Sequence, residues 1–289
     1  MYAEQARAQL NVADQAHQHI IRDFGIGYAK GLDESDLQRV APAIFAEHAH
    51  QSRSERYGFV STLDFIRAFR QNGFFPVKVN ASRVRQADKN GFQKHQIRFR
   101  REDQLGAPEA REVILTNSHD GSSGAILDAG LFRLACANGL MFGENDTHIS
   151  VPHRRNAVER VIEGAYTVLS NFDEMNGSIE RMKAIQLNVP QKLAFAKAAA
   201  ELRFEDAEIQ VNPIDIIAPR RQADVGNDLW RTFNVVQERL IKGGVQTHRQ
   251  DANGRWNRRE AREIKGIDQG NALNRALWVL ADEMAKIAA

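Results

Sequence analysis

The most restrictive feature of the sequence is a change of period in its middle third. The stretch "STLDFIRAFRQ" spaces its apolar residues as an α-helix does, whereas the following "FFPVKVNASRV" alternates apolar with polar residues as a strand does. Asn90-Gly91 is a tight-turn signal before a second alternating stretch, "FQKHQIRFRR". Two further strand-like stretches, "REVILTN" and "GAILDAGLFRLAC", surround the turn signal Asp120-Gly121. The pattern predicts an antiparallel sheet of about four strands, entered from a helix.

Helical spacing returns beyond about residue 155 and continues to the end of the chain. The stretches "NAVERVIEGAYTVLSNF", "DLWRTFNVVQERLIKGG" and "NALNRALWVLADEMAKI" each place apolar residues on one helical face. The sequence therefore predicts the α+β class, with an antiparallel β-sheet built of hairpins, preceded by helices and followed by a C-terminal helical region. The predicted parts are an N-terminal helical arm at 1–30, an α+β core at 31–170, and a C-terminal helical region at 171–289 with a basic loop at 243–266.

The composition narrows the class of function. The 289 residues carry a formal net charge of +2 and a single cysteine. Any case for nucleic acid therefore depends on local clusters of charge, and an internal disulfide or a cysteine-based zinc site is excluded. No apolar run approaches the roughly 20 residues of a membrane helix, and the N-terminus lacks the basic and apolar regions of a signal peptide. We expect a soluble, cytoplasmic protein without a membrane partner.

Basic charge gathers first between residues 78 and 101, where the chain has eight basic residues and one acidic residue. Cations that follow phosphates, with flat rings that stack on unpaired bases, are what a single-stranded nucleic acid requires. A solvated strand face that resists edge-to-edge aggregation explains the same charge equally well. Under the nucleic-acid hypothesis, the phosphate contacts are Arg83, Arg85, Lys94, Arg98 and Arg100, and the stacking residues are Phe92 and Phe99.

The second basic cluster lies in "THRQDANGRWNRREAREIKG", which follows a double glycine. The flanking glycines favour a mobile loop, and loops carry function more often than they build cores. We expect Trp256 to stack on bases in this segment. The expected phosphate contacts around it are Arg255, Arg258, Arg259 and Arg262.

The stretch "TNSHDGSSGAILDAGLFRLACANG", residues 116–139, combines groups that occur in enzymes. Cys136 has no base at a recognised spacing, because His119 lies seventeen positions away across a turn signal. The "GSSG" segment lacks the lysine and the glycine spacing of a phosphate-binding loop, and a His-Asp metal site would need further ligands. A hairpin turn at Asp120-Gly121 explains the stretch better, so we predict no catalytic residue, no metal and no cofactor.

Arg133 is the charged residue of "AGLFRLACANGL", and nearly all of its neighbours are apolar or small. An unpaired buried charge is very costly, so its guanidinium must meet an acidic side chain or a ligand phosphate. If the partner is a phosphate, Arg133 joins the nucleic-acid contacts. The sequence leaves both partners open.

These residues also carry a family resemblance. "TNSHDGSSG" before "AGLFRLACANGL", together with "APAIFAEHAH", "RYGFVST", "HQIRFR", "DLWRTFNVVQERLIKGG" and "NALNRALW", resembles the plasmid- and phage-borne family known as domain of unknown function 932. The resemblance extends over most of the chain. The central part is similar to a related phage/plasmid-like family with a His-Asp-Gly-Ser turn, an Arg-x-x-Cys-x-Asn segment and a downstream histidine. The matching positions are His119, Asp120, Gly121, Ser122, Arg133, Cys136, Asn138 and His153.

The resemblance implies a mobile-element setting, in which proteins of DNA processing and counter-defence are common. With the basic clusters, it leads to the main hypothesis of a homo-oligomeric protein that binds single-stranded DNA in annealing, recombination or protection. A second hypothesis is an enzyme that processes nucleotides or nucleic acid around His119, Asp120, Arg133 and Cys136. A third is an anti-defence protein that binds a host protein.

Overall fold

The structure is a computed structural model that describes residues 30–54, 57–84, 86–107, 109–133, 138–142, 148–152, 156–204, 209–251 and 253–288. Apart from residue 30, the helical arm predicted at 1–30 lies outside these residues. Within the described ranges, no helix combines the length and the apolar character that crossing a membrane requires.

The described elements follow the order that the sequence pattern predicts. The helices are α1 (Glu34–Val40), α2 (Thr62–Gln71), α3 (Ala157–Ser170), α4 (Phe172–Ala184), α5 (Val189–Arg203), α6 (Pro213–Ile217), α7 (Leu229–Lys242) and α8 (Ile267–Ala288). The strands are β1 (Phe74–Ala81), β2 (His95–Arg101), β3 (Glu109–Asn117), β4 (Ala125–Arg133), β5 (Asn138–Met141), β6 (His148–Val151), β7 (Ile209–Val211), β8 (Gln246–Gln250) and β9 (Trp256–Glu260). Helices, a hairpin sheet and a C-terminal helical region confirm the α+β class.

The chain divides into two compact units. Of the described residues, the first unit contains those from 30 to Gly139 and from His148 to Ser170. The second contains Leu140 to Phe142 and those from Asn171 onward. The hairpin sheet is the centre of the first unit, and most of the later helices belong to the second.

The first unit is built on a sheet with the order β1–β2–β3–β4–β5, in which β6 pairs with β4. Strands β1 to β4 and β6 pair antiparallel. One face is apolar and packs against α2 and α3. The ring of Phe69 in α2 stacks on Phe99, with 4.3 Å between ring centroids. Gly164 of α3 lies so close to the sheet that a Cβ atom there would be 2.8 Å from Cδ1 of Leu127.

The opposite face of this sheet is polar and yet buried. Arg98 and Arg100 of β2 flank the carboxylate of Glu112 in β3, at 2.5 Å from Nη1 of Arg98 to Oε2 and 2.8 Å from Nε of Arg100 to Oε1. The guanidinium of Arg100 also lies 4.0 Å above the ring centre of Phe132, and Nη2 of Arg98 donates to the carbonyl of Gly139 at 3.0 Å. The expectation that Arg98 and Arg100 line an exposed basic face is therefore wrong, because they neutralise a buried carboxylate.

The second unit packs α4, α5, α7 and α8 around the buried indole of Trp278, which meets the rings of Phe142 and Phe233 edge to face. This unit also contains a separate three-stranded antiparallel sheet in the order β7–β8–β9. The segment 243–266, predicted as a basic loop, therefore contains a β-hairpin formed by β8 and β9. Its strands, "QTHRQ" and "WNRRE", carry polar residues on both faces, so no apolar alternation marks them in the sequence.

Candidate nucleic-acid interface

The β8–β9 hairpin presents the second basic cluster at the protein surface. Every residue of β9 is exposed, and so are His248, Arg249 and Gln250 of β8. Trp256 is 46 % exposed, which is unusual for so large an aromatic side chain. The hairpin therefore offers an aromatic ring and several cations together in solvent.

The tip of the hairpin is fixed by Asp251. Its Oδ1 accepts hydrogen bonds from the backbone N–H groups of Asn253 and Arg255, both at 2.9 Å, and its Oδ2 accepts from the side-chain amide of Asn257 at 3.2 Å. The hydrogen bond from Arg255 contributes most to holding the pKa of Asp251 below its ordinary range. The Asp251 carboxylate thus shapes the tip.

The base of the hairpin requires glycine at position 243. Gly243 has a φ of 75°, and a Cβ atom there would lie 2.3 Å from the carbonyl oxygen of Ala261. The N–H group of Gly244 donates to the same carbonyl at 2.9 Å, and the N–H group of Ala261 donates to the carbonyl of Val245 at 2.8 Å. The double glycine therefore lets α7 end and the hairpin begin without a steric clash.

Replacing Gly243 with alanine is expected to lower the free energy of unfolding by about 1–3 kcal/mol, because a Cβ atom is strained in this backbone conformation. Gly177→Ala is the matched control within the second unit. Gly177 lies inside α4 and no atom comes within 4 Å of a Cβ there, so alanine should raise the free energy of unfolding by about 0.5–1 kcal/mol. Urea denaturation measures both. A Gly243→Ala variant as stable as the natural chain would contradict the tight hairpin base.

The two faces of the hairpin carry different side chains. Residues alternate along a strand, and cross-strand partners share a face, so Trp256 and Arg258 lie on one face and Arg259 lies on the other. The face that we call outer consists of Gln246, His248, Gln250, Trp256, Arg258 and Glu260. The face that we call inner consists of Thr247, Arg249, Asn257 and Arg259.

The inner face borders a pocket of about 740 Å³ between the three-stranded sheet, the end of α5 and the first turns of α8. Its lining combines arginines, apolar side chains and two acidic residues. The arginines are Arg203, Arg249, Arg259 and Arg262. The main apolar residues are Phe204, Ile209, Ile264 and Leu273. The acidic residues are Glu201 and Glu260, and the register assigns the side chain of Glu260 to the outer face.

Three arginines of this pocket have no ion pair among the described residues. In the part of the chain that the structure describes, no carboxylate oxygen lies within 4.0 Å of a guanidinium nitrogen of Arg203, Arg259 or Arg262. Nη2 of Arg203 donates to the carbonyl of Arg262 at 2.9 Å, while its Nε is buried without a hydrogen-bond partner among the same residues. Burial lowers the pKa of Arg203 from its ordinary value. An anion in the pocket would offset this burial cost.

The first basic cluster is not a comparable surface. Arg98 and Arg100 are buried against Glu112, and Phe99 is buried against Phe69. None of the three predicted contacts, Arg98, Arg100 and Phe99, is available to a phosphate or a base. The predictions for these residues are therefore wrong, and the physical reason is that both faces of the sheet are covered.

The other residues of the first cluster have mixed positions. Arg83 is exposed and Lys94 is half-buried, with interaction partners within the protein. Phe92 is half-buried, and its ring lies 5.4 Å from that of His48 between centroids. Arg85 lies outside the described residues. For Arg83, Lys94 and Phe92, contact with nucleic acid stays a prediction.

Three of the segments that carry the family resemblance meet in a buried polar cluster. The hydroxyl oxygen of Thr62 lies 2.9 Å from Nε2 of His95, 3.0 Å from Nε2 of His119 and 2.8 Å from the amide nitrogen of Asn117. Nδ1 of His95 lies 3.0 Å from the carbonyl oxygen of Gln93, so this nitrogen carries the proton. Burial lowers the pKa of His95 to about 4, which leaves the ring neutral at pH 7.

These contacts set the direction of every hydrogen bond in the cluster. Because the neutral His95 ring is protonated on Nδ1, its Nε2 accepts from the Thr62 hydroxyl. The Thr62 oxygen then accepts from Nε2–H of His119 and from the Asn117 amide. All four side chains are buried. The cluster therefore ties the start of α2 to the start of β2 and the end of β3.

The predicted Asp-Gly turn between β3 and β4 is confirmed. Gly121 has a φ of 79°, and Oδ1 of Asp120 accepts a hydrogen bond from the N–H group of Ser122 at 2.9 Å. This turn lies at the end of β4 opposite Arg133, so the nine residues of β4 separate the two by roughly 30 Å. His119 and Asp120 are therefore not brought together with Arg133 in one site.

The structure describes little of the rest of the related-family motif. Cys136 and His153 lie outside the described residues, and Asn138 is placed only as the first residue of β5. Across the described ranges, no group of three or more His, Cys, Asp or Glu side chains is arranged to hold a metal ion.

Arg133 has an acidic partner in the protein. Its Nε lies 3.3 Å from Oε1 of Glu109, and the two residues are directly opposed in the β3–β4 register. The arginine side chain is 13 % exposed and the carboxylate is 55 % exposed. Of the two partners that the sequence left open, the structure contains the protein carboxylate.

Sequence reasoning missed two residues that matter for the candidate interface. Arg203 ends α5 in an ordinary helical pattern, and only folding brings it to the inner face of the hairpin. The sequence pattern places Glu112 in the strand "REVILTN" and assigns it no further role. A signal for its role is that it lies in a strand whose neighbour carries two alternate arginines, because opposite charges often face each other across strands.

The fold and the basic hairpin define an α+β protein with a cationic β-ribbon in its second unit. The chain belongs to the family described as "Domain of unknown function (DUF932)", whose model matches residues 49–278. This match confirms the family resemblance that the sequence motifs indicate.

Two curated relatives come from Escherichia coli (strain K12). The chain is 41% identical to UPF0380 protein YafZ over 253 residues, which is 88% of this chain and 91% of the relative. It is 40% identical to UPF0380 protein YfjQ over the same shares of both chains. No solved structure matches this chain.

Proposed function

We propose that this protein binds single-stranded DNA on the outer face of the β8–β9 hairpin, in the cytoplasm. The observation that carries the proposal is the fully exposed β9 strand, on which Trp256 and Arg258 share one face. Nε of Arg258 donates to Oε1 of Gln246 at 2.8 Å, which orients the guanidinium. An exposed indole can stack on an unpaired base, and the guanidinium can contact the adjacent phosphate.

Single strands suit this surface better than duplex DNA. A two-stranded ribbon can enter the major groove, but it then reads base edges with polar side chains and gains nothing from an exposed indole. Stacking on an indole requires a base that has left the duplex, and it contributes about 1–3 kcal/mol per base. The aromatic ring among cations therefore favours the single strand.

The family resemblance provides the setting for the proposal. Single strands arise during the transfer, replication and recombination of mobile elements, where annealing or protection needs proteins that bind without sequence preference. Binding of this kind covers a strand with several copies of the protein, so the proposal includes a homo-oligomer on DNA.

Binding to a fluorescent oligonucleotide at about 50 mM and about 200 mM salt tests the proposal. We expect affinity for single-stranded DNA that falls as salt rises, with a slope of about 0.7 for each phosphate contact. Duplex DNA of the same sequence and single-stranded RNA are the comparison ligands. Absence of affinity at low salt, or a preference for the duplex, would overturn the proposal.

Substitutions on the outer face and at Arg255, which precedes β9, locate the binding surface. Trp256→Ala is expected to weaken affinity about tenfold with little change in salt slope, because it removes stacking. Arg255→Ala with Arg258→Ala is expected to weaken affinity and to reduce the salt slope by about 1.4. The charge-matched control is Arg39→Ala with Arg101→Ala, which removes two exposed arginines of the first unit. Equal losses in both double variants would mean that the hairpin is not the site.

A further inference from the structure

We infer that the pocket beneath the inner face of the hairpin binds one nucleotide, with its phosphate at the arginines and its base on the apolar side chains. This assignment rests on the proposed function in one respect: the bound DNA strand is taken as the source of the nucleotide. A free nucleoside monophosphate has the same chemistry, and the experiment below separates the two sources.

The arginines of the pocket provide the phosphate side. Arg259 and Arg262 are exposed at the pocket and have no carboxylate within 4.0 Å among the described residues. Arg203 adds a partly buried cation whose Nε has no hydrogen-bond partner in the same part of the chain. A phosphate accepts several charge-assisted hydrogen bonds at once, and guanidinium groups match its geometry.

The apolar side chains of the lining provide contacts for the base, and inorganic phosphate would leave them unused. These side chains are Phe204, Ile209, Ile264 and Leu273. They lie among the arginines, because the guanidinium of Arg203 is 5.5 Å from the ring centre of Phe204 and Ile209 pairs with Arg249 across β7 and β8. The volume of about 740 Å³ lies within the roughly 300–1,000 Å³ of small-molecule sites. The carboxylate of Glu201 repels a phosphate but can accept hydrogen bonds from an exocyclic amino group of a base.

The position of the pocket relative to the hairpin favours a nucleotide over other anions. Arg259 of the inner face and Arg258 of the outer face are consecutive residues of β9, so their side chains point to opposite sides of the same strand. β9 is an edge strand of the sheet, so a single strand that stacks on Trp256 reaches the pocket only by passing around this edge, where one of its nucleotides can enter. An acidic peptide would meet the same cations but has no aromatic base to pack against the apolar side chains of the pocket.

Titration calorimetry of the full chain with deoxyadenosine monophosphate tests the assignment. Deoxyadenosine and inorganic phosphate serve as partial ligands. We expect deoxyadenosine monophosphate to bind at least about tenfold more tightly than either, because each partial ligand makes only the phosphate contacts or only the base contacts. No measurable binding of the nucleotide, or equal binding of the nucleoside, would overturn the assignment.

Variants locate the nucleotide in the pocket. Arg259→Ala with Arg262→Ala removes two exposed cations, and Ala272→Tyr fills the pocket from an exposed position of α8. Each is expected to raise the dissociation constant for deoxyadenosine monophosphate at least about tenfold. The control in the first unit, Arg39→Ala with Arg101→Ala, should leave it unchanged. Nucleotide binding that survives both pocket variants would place it elsewhere and overturn the assignment.

The same variants separate the two sources of the nucleotide. If Ala272→Tyr weakens both the mononucleotide and a single-stranded oligonucleotide, the strand supplies the nucleotide. If it weakens the mononucleotide alone, the pocket takes a free nucleotide. Binding of the mononucleotide by a chain without any oligonucleotide affinity supports the pocket and contradicts the proposed function. Oligonucleotide binding by a chain that does not bind the mononucleotide supports the proposed function and contradicts the pocket assignment.

Discussion

Replacing Glu112 with glutamine is expected to lower the free energy of unfolding by about 3–5 kcal/mol. The Glu112 carboxylate is fully buried between the guanidinium groups of Arg98 and Arg100, which are almost completely buried themselves. Glutamine has nearly the same shape but no charge, so two buried cations lose their counter-charge. Urea denaturation measured by circular dichroism gives the change.

Two further variants show that buried charge is the cause. Glu109→Gln removes a carboxylate that is 55 % exposed and faces Arg133, so it should cost no more than about 1 kcal/mol. A triple change, Glu112→Leu with Arg98→Met and Arg100→Met, removes all three charges and should recover much of the lost stability. If Glu112→Gln and Glu109→Gln cost the same small amount, the buried ion pairs do not form as described.

The same ion pairs change how the DNA-binding hypothesis is tested. Arg98 and Arg100 looked like phosphate contacts in the sequence, because basic residues alternate in "HQIRFRR". Since they are buried, alanine at both positions would weaken oligonucleotide binding only by disturbing the sheet. A loss of affinity in such a variant says nothing about phosphate contact. The exposed arginines of β9 are the informative positions.

Much of the fold can be predicted from the sequence because local chemistry determines it. Alternation in "FFPVKVNASRV" and the Asp120-Gly121 turn correspond to β1 and to the β3–β4 hairpin. Alternation shows which residues share a face, but not what covers that face. For this reason it groups Arg98 with Arg100 correctly and still predicts the wrong environment for them.

The candidate site is less predictable because distant segments build it. The hairpin strands "QTHRQ" and "WNRRE" are polar on both faces, so the cluster of arginines was visible while its strand structure was not. The pocket combines Arg203, Arg259 and Leu273, which lie in three different elements. Only tertiary structure shows that these segments meet.

Lowering the pH from 6.5 to about 4 is expected to reduce the free energy of unfolding by about 3 kcal/mol through His95 alone. His95 is fully buried, and burial lowers its pKa from the ordinary 6.5 to about 4. The unfolded chain binds a proton near pH 6.5, whereas the folded chain does not bind it until the pH approaches 4. The contribution to stability is therefore complete above pH 6.5 and is lost as the pH falls through this window.

Comparison with His95→Gln isolates this contribution. The variant should be less stable at pH 7, because it disturbs the hydrogen bonds of Thr62, but its stability should vary less between pH 6.5 and 4. Carboxylates with a lowered pKa, such as Asp33 and Asp251, lose their contribution below their ordinary value of 3.8, outside this window. Parallel pH profiles of the two chains would contradict a neutral, buried His95. They would also reopen an acid–base role for the histidine cluster, because a general base must exchange protons near neutral pH and be accessible to its substrate.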